Sequence, residues 1–493
     1  MRPARLLTAL SIAALLWPAS ARAAGPLGAK GEPIQTSAYA IDLFQGPVLA
    51  SSRVTSLGGS YAGIAEGVEG GQVNPAAHAV RVPWSVDWFD YDWTLGFTLP
   101  SSLADTDFDN NGTPGFSYDS FRFVTLGANM QTGAWAFGIL TDAQTYHLEG
   151  MESVDANLPN LRVNLMRARA HLARSWFGGQ LVVGAGLRMV TMSFTASKDP
   201  ISDQEDDREL FNTTGSAPEV GAIWAPSRLP LRAGITGRLQ TRSETDLASE
   251  TKPNAEGDIL LGSMYLPEHV ELPWEVEAGF SWQFGKRRLN VPWINPRDVV
   301  APLTAEIQRA RAARLRARVS EAAERKARAL EDDRMRASRA DARSRLVARY
   351  RAMPRQKLLV SASLLVTGPT SNAVGLESFL RQQVDRSGRR VSFTPRLGLE
   401  TELVPELLMV RAGTYLEPSR FRAANARLHG TAGFDLRLFA WRVFGLFEEG
   451  TAWRAGVSLR VGRPPCGQAA ARGERVVDRL CGRLNTHSVQ DVH

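Results

Sequence analysis

Cysteine is nearly absent from this 493-residue chain: only Cys466 and Cys481 occur, both close to the C terminus. A disulfide-dense scaffold and a multi-cysteine metal centre are therefore excluded. Also missing, after residue 24, is any run apolar enough for a membrane-spanning helix. The seven histidines form no H-E-x-x-H motif and no close ligand set, and Gly58-Gly59-Ser60-Tyr61-Ala62-Gly63 fails G-x-S-x-G because Ala62 stands in the second glycine's place. We assign no catalytic residue. The formal charge of +7 is uneven: Arg2, Arg5 and Arg22 carry +3, residues 304–351 hold 14 Arg and one Lys against seven acidic residues, and the remainder is left at −4. Basic character is thus local, which argues against nucleic acid as a partner.

What the chain does have is a two-residue period. From Phe89 to Leu99 every odd position is large and apolar, while Asp90, Asp92, Thr94, Gly96 and Thr98 occupy the even ones. The same alternation runs through Leu272–Phe284, Val391–Glu400 and Trp453–Val461. Segments of about 9–11 residues with one apolar and one polar or charged face suit the wall of a transmembrane barrel, the one β arrangement that pairs every backbone group in lipid.

Alternation and turn residues together predict 14 strands, near 84–99, 120–130, 133–146, 162–175, 180–192, 217–226, 230–241, 270–284, 356–368, 390–402, 407–416, 429–439, 440–447 and 451–462. The expected fold class is all-β: an antiparallel barrel with an N-terminal plug and a long charged helical insertion. Residues 1–23 read as a signal peptide, with arginines before an apolar stretch and Ala21-Arg22-Ala23 as the cleavage site; Ala24 rather than cysteine follows, against a lipid anchor. The organisation expected is signal peptide 1–23, plug 24–83, strands one to eight in 84–300, an Arg/Ala-rich periplasmic helix in 301–355, strands nine to fourteen in 356–462, and a periplasmic tail 463–493. In that tail Cys466 and Cys481 are expected to close one disulfide, the plain alternative being two free thiols. Export with barrel strands places the protein in the outer membrane of a Gram-negative cell. Short turns alternate with long polar loops, so the first strand is expected to run outward, with the long loops outside.

Ahead of the first strand lie Leu57-Gly58-Gly59-Ser60-Tyr61-Ala62-Gly63 and, later, Asn74-Pro75-Ala76. This resembles the N-terminal plug of the FadL family, outer-membrane channels for long-chain fatty acids and other hydrophobic molecules, in which an LGxxYxG stretch leads to NPA. The paired aspartates usual in that family do not appear; Glu66 and Glu69 lie in the vicinity instead. Pro395-Arg396-Leu397-Gly398-Leu399-Glu400 and Arg411-Ala412-Gly413-Thr414-Tyr415-Leu416-Glu417-Pro418-Ser419 resemble a late strand-turn-strand of the same family. The resemblance implies uptake of hydrophobic compounds past a plug that shifts, with Gly58, Gly59, Tyr61, Gly63, Asn74 and Pro75 as gating candidates; the plain alternative is that the glycines only let a plug pack tightly.

Asp90, Asp92, Arg167, Arg169, His171, Glu275, Glu277, Arg396 and Glu400 are expected on the lumen wall, mostly as a hydrated face holding the plug. Asp107, Asp109 and Asn111 match the opening half of a calcium loop, but Tyr118 occupies the twelfth position where a glutamate is required, so a polar turn competes with a calcium site. No other cofactor is expected. The expected partners are a hydrophobic ligand, the bilayer and a periplasmic protein at the charged helix. The competing function is a non-transporting barrel serving assembly, secretion or adhesion through that helix.

Overall fold

The computed structural model describes residues 27–83, 85–100, 109–112, 122–148, 160–197, 207–247, 257–261, 264–405, 407–422, 424–440, 452–463 and 485–492. Long antiparallel strands dominate it: β1 (Phe89–Pro100), β2 (Arg122–Thr132), β3 (Trp135–Leu148), β4 (Asn160–Trp176), β5 (Leu181–Ser197), β6 (Asp207–Trp224), β7 (Leu231–Arg238), β8 (Glu275–Gly285), β9 (Lys357–Thr367), β10 (Ser392–Val404), β11 (Leu408–Glu417), β12 (Arg427–Ala440), β13 (Ala452–Arg463) and β14 (Asn485–Val492). Each pairs with the next in this order. In addition β14 pairs with β1, Val492 opposite Leu95 and His487 opposite Pro100.

The burial pattern inverts that of a water-soluble sheet. Phe97, Leu126, Ile139, Leu187, Ile235, Phe280 and Leu397 are exposed, whereas Thr94, Thr125, Asp142, Ser281, Glu400 and Ser458 are buried. Apolar side chains point away from the interior and polar ones into it, along strands long enough to cross a bilayer.

Several boundaries differ from the sequence reading. The eighth strand divides at Pro273 into His269–Leu272 and Glu275–Gly285, because proline has no N–H to give a ladder. The seventh breaks after Arg238 and resumes as Thr241–Leu247, which pairs with Phe211–Thr213 of β6 in a register shifted by one residue. The strand expected at 440–447 falls, apart from Ala440, outside the described residues, as do residues 1–26, Asp107, Cys466 and Cys481. The presumed tail is corrected in part, since Asn485–Val492 is a strand. Its side chains carry little apolar period, so backbone pairing to its two neighbours, not patterning, defines it.

The charged tract is two helices, not one: α3 (Pro296–Arg316) and α4 (Glu321–Arg351). The chain reverses at Arg318, whose φ is +50°, and Ser320 caps α4. Arg311 reaches Glu331 at 2.7 Å, Arg314 reaches Glu324 at 2.7 Å, and Arg334 reaches Glu306 at 3.2 Å, so the helices run antiparallel as a hairpin. It leaves the strands at the short-turn end, where Arg343 meets Asp87 just before β1.

Candidate functional site: the inner segment and the faces around it

Residues 27–83 precede the wall and run from one end of the strands to the other. At the long-loop end Ala40–Asp42 is a short strand lying parallel between His269–Leu272 and Ala373–Val374. The chain then forms α1 (Ser52–Ser56), α2 (Gly67–Gly70) and a 3-10 turn at Pro75–Ala79, and leaves at the short-turn end. Its contacts reach nearly every strand in turn: Val68 N donates to Asp92 of β1 at 3.4 Å, Gln72 to Thr125 of β2, Ser281 of β8 to Gly63 O, and Thr431 of β12 to Ser56 O.

Local sequence explains the close approach. Gly58 and Gly59 adopt φ of +62° and +75°, which side chains disfavour. A Cβ at Gly63 would overlap the Phe280 backbone, and one at Gly413 of β11 would overlap Leu57. Tyr61 is fully buried in a cluster with Leu57, Ile64 and Leu359. Asn74 caps the 3-10 turn by accepting from Ala76 N at 2.9 Å, while its amide donates to Ala222 O at 3.3 Å and Ile235 O at 3.2 Å. Pro75 at the first helical position has no N–H to leave unpaired.

Charged groups form the second layer. Arg53 binds Glu400 at 2.9 Å and Glu66 at 3.3 Å, and Arg232 binds Glu66 from the far side at 2.8 Å. Burial by itself would raise the Glu66 carboxyl, but Arg232 and Arg53 hold it below the ordinary range. A second belt runs across several strands: Asp142 to Arg169 at 2.7 Å, Arg238 to Glu219, Glu275 and Glu277 at 3.3–3.7 Å, and Glu277 to Arg396 at 3.0 Å. Arg396 also donates to Gly59 O at 3.2 Å. His171 Nε2 lies 2.5 Å from Glu219 and its Nδ1 lies 2.9 Å from His78 Nε2.

Thus Arg169, His171, Glu275, Glu277, Arg396 and Glu400 come together around the inner segment, and Arg167 is half-buried on the same strand as Arg169. Asp92 is exposed but accepts from Val68, and Asp90 lies 3.9 Å from Arg81. Sequence reasoning missed Arg53, Gln72, His78, Asp142 and Glu219. Asp109 accepts from Asn111 N at 3.1 Å, and the Asn111 amide also approaches Glu377 at 3.4 Å.

The long-loop half of the interior is different in kind. Phe123, Val163, Leu165, Val190, Met192, Phe194 and Phe211 point inward there and pack with Tyr39, Ile41 and Leu43 of the inner segment and Phe379 of the short helix Leu376–Leu380. Phe194 and Phe211 stack at 4.3 Å, with Phe379 edge-on to both. The large apolar cluster thus lies toward the long loops, beside the buried pairs Asp42–Arg420 and Glu417–Arg427 of the same end, while the short-turn half carries no comparable apolar cluster among the described residues.

These features define an antiparallel β protein with an apolar outer surface and an internal segment. No protein-family model matches the chain, and no curated protein matches it. Among solved structures it is similar to a FadL homologue from Pseudomonas aeruginosa, at 11% identity over 94% of this chain and 98% of that one, with a TM-score of 0.44. It is also similar to the TodX monoaromatic hydrocarbon channel, at 10% identity, 91% and 97% coverage and a TM-score of 0.39, and to CdiB from Acinetobacter baumannii, at 7% identity, 82% and 60% coverage and a TM-score of 0.34.

Proposed function

We propose that the chain is an outer-membrane channel for uptake of hydrophobic small molecules such as long-chain fatty acids. In this reading 14 strands close as a barrel, residues 1–23 direct export, and residues 24–83 form the plug that gates the lumen. Pairing of β14 with both β13 and β1 supports closure, and the contacts of residues 52–79 with strands on all sides support a lumenal plug. The observation that carries the function is the apolar lining of the long-loop half. A channel for water and ions gains nothing from inward phenylalanines, whereas a hydrophobic molecule leaving water gains roughly 25 cal/mol per Å² of apolar surface buried. Here Tyr39, Ile41 and Leu43 occupy that lining, so entry requires their displacement. Gly58, Gly59 and Gly63 lie where the plug backbone meets the wall, and Asn74 and Pro75 anchor its last turn.

Uptake of a fluorescent fatty acid and of a neutral aromatic probe, compared in cells with and without the gene, tests the reading. Faster entry of at least one probe with the gene is expected. Equal entry across a panel of hydrophobic probes would refute it.

A further inference from the structure

We propose that the connection between β8 and β9 is a strap: residues 286–297, backed by the end of α4, cross the short-turn mouth, close it and latch the inner segment in place. The inference rests on reading the interior as a conduit, since a mouth matters only if something leaves by it. Pairing order shows the crossing. Because β14 also pairs with β1, β1 and β8 stand seven pairings apart in either direction, on opposite sides of the proposed ring. Fourteen strands at the usual spacing and tilt enclose a ring roughly 25–30 Å across. The 12 residues after Gly285 that end at Arg297 reach roughly 40 Å when extended, and their contacts trace a path from one side to the other.

At its start the strap is tied to the strands. Arg287 binds Glu402 of β10 at 3.1 Å, and its carbonyl accepts from Gln283 of β8 at 2.8 Å. Leu289 then enters the core of the inner segment, buried in one cluster with Val54, Leu57, Tyr61 and Ile64. Asn290, also buried, donates to Pro226 O at 3.0 Å and Leu231 O at 2.7 Å where β6 turns into β7, and accepts from Arg232 at 3.1 Å. Arg232 in turn holds Ile64 O at 2.7 Å and Glu66 at 2.8 Å, so one asparagine links strap, strands and inner segment. Farther on, Trp293 Nε1 donates to Ser85 O at 3.1 Å, and the Arg81 guanidinium lies 4.6 Å from its ring. The Arg297 guanidinium lies 3.3 Å over the Trp88 ring, beside the start of β1. α4 returns over the same ground: Arg343 meets Asp87, and Leu346, Tyr350 and Met353 line a small recess with Val291 and Ile294 before the chain enters β9 at Lys357.

A plain connection would need none of this. β8 and β9 are neighbours, with Gly285 opposite Lys357, and a hairpin loop of about 2–5 residues joins such a pair. The chain instead travels to the far side and back, and it buries Leu289 and Asn290 where a loop would ordinarily stay in solvent. Pro292 and Pro296 restrict its backbone. The strap thus holds the inner segment at two places, residues 64–66 through Arg232 and residues 81–88 through Trp293 and Arg297. Its release frees the half of that segment nearest the mouth.

Hydrogen exchange of the full-length protein in a non-ionic detergent, read by mass spectrometry, tests the latch without any transported molecule. Asn290→Ala and Trp293→Ala are compared with the native protein, mobility on unheated gels reporting folding; where one fails to reach the compact form, the other carries the test. Residues 52–63, to which neither side chain hydrogen-bonds, are expected to exchange at least about tenfold faster in each variant, with β3 to β5 unchanged. Entry of the fluorescent fatty acid or the neutral aromatic probe into cells is expected to rise at least about twofold. Unchanged exchange of residues 52–63 in the folded variants would overturn the proposal. So would faster exchange accompanied by probe entry that exceeds the level of cells without the gene yet is no greater than with the native protein. Faster exchange, with no probe entering through native or variant protein, supports the latch and refutes the channel reading alone.

Discussion

His78 shows how one side chain joins the inner segment to the strands around it. Glu219 as a carboxylate can only accept, so His171 Nε2–H donates to it, and one proton is shared between His171 Nδ1 and His78 Nε2 at 2.9 Å. His78 Nδ1 is then buried without a partner. Burial first, and the adjacent His171 second, push the His78 imidazole down to about 3. Its folded value lies below the ordinary one, so its contribution to stability is complete above about pH 6.5 and is lost as pH falls toward 3. By linkage this amounts to about 2–3 kcal/mol at pH 4.5. Thermal melts at pH 7 and pH 4.5 are expected to show a smaller acid destabilisation in His78→Asn than in the native protein; an equal drop would contradict the assignment. Residue-level legibility follows from the same physics. Asn74-Pro75 was singled out by its resemblance to a family motif, whereas His78, Asp142 and Glu219 were not, because their partners lie on strands brought together only by register.

Among elements, strands whose two faces differ sharply in polarity were the readable ones: β1, β10 and β11 lie within a few residues of where alternation puts them. β14 was not, since Asn485–Val492 carries little apolar alternation to mark it. The helical tract was readable in composition but not in its reversal, which depends on one residue with positive φ. The hairpin's internal ion pairs are mostly exposed, where water and salt screen them and each contributes little. Its described ion pair to the strand side is Arg343 with Asp87, about half-exposed on both sides. Excision of residues 296–351, with the ends rejoined by a short Gly/Ser linker, is expected to leave the compact, fast-migrating form on unheated gels intact. Loss of that form would show that the hairpin is part of the folding core.

At the scale of the molecule, the inverted burial pattern makes a demand that water does not. Phe280 is half-exposed near the middle of β8 and faces away from the interior. Phe280→Arg is expected to cost about 2–4 kcal/mol in equilibrium folding into phospholipid vesicles, as for a charge near the bilayer midplane. A cost near zero would place that face outside the hydrocarbon. The apolar cluster toward the long loops was not legible, because inward apolar residues such as Val163 and Met192 look in sequence like breaks in the alternation. One further consequence concerns assembly. The chain lies as a cord from Ala40–Asp42 at one rim to Asp87 at the other before the first wall strand begins. In the proposed barrel such a segment cannot be threaded in after closure, so it takes its place before the strands have finished closing around it.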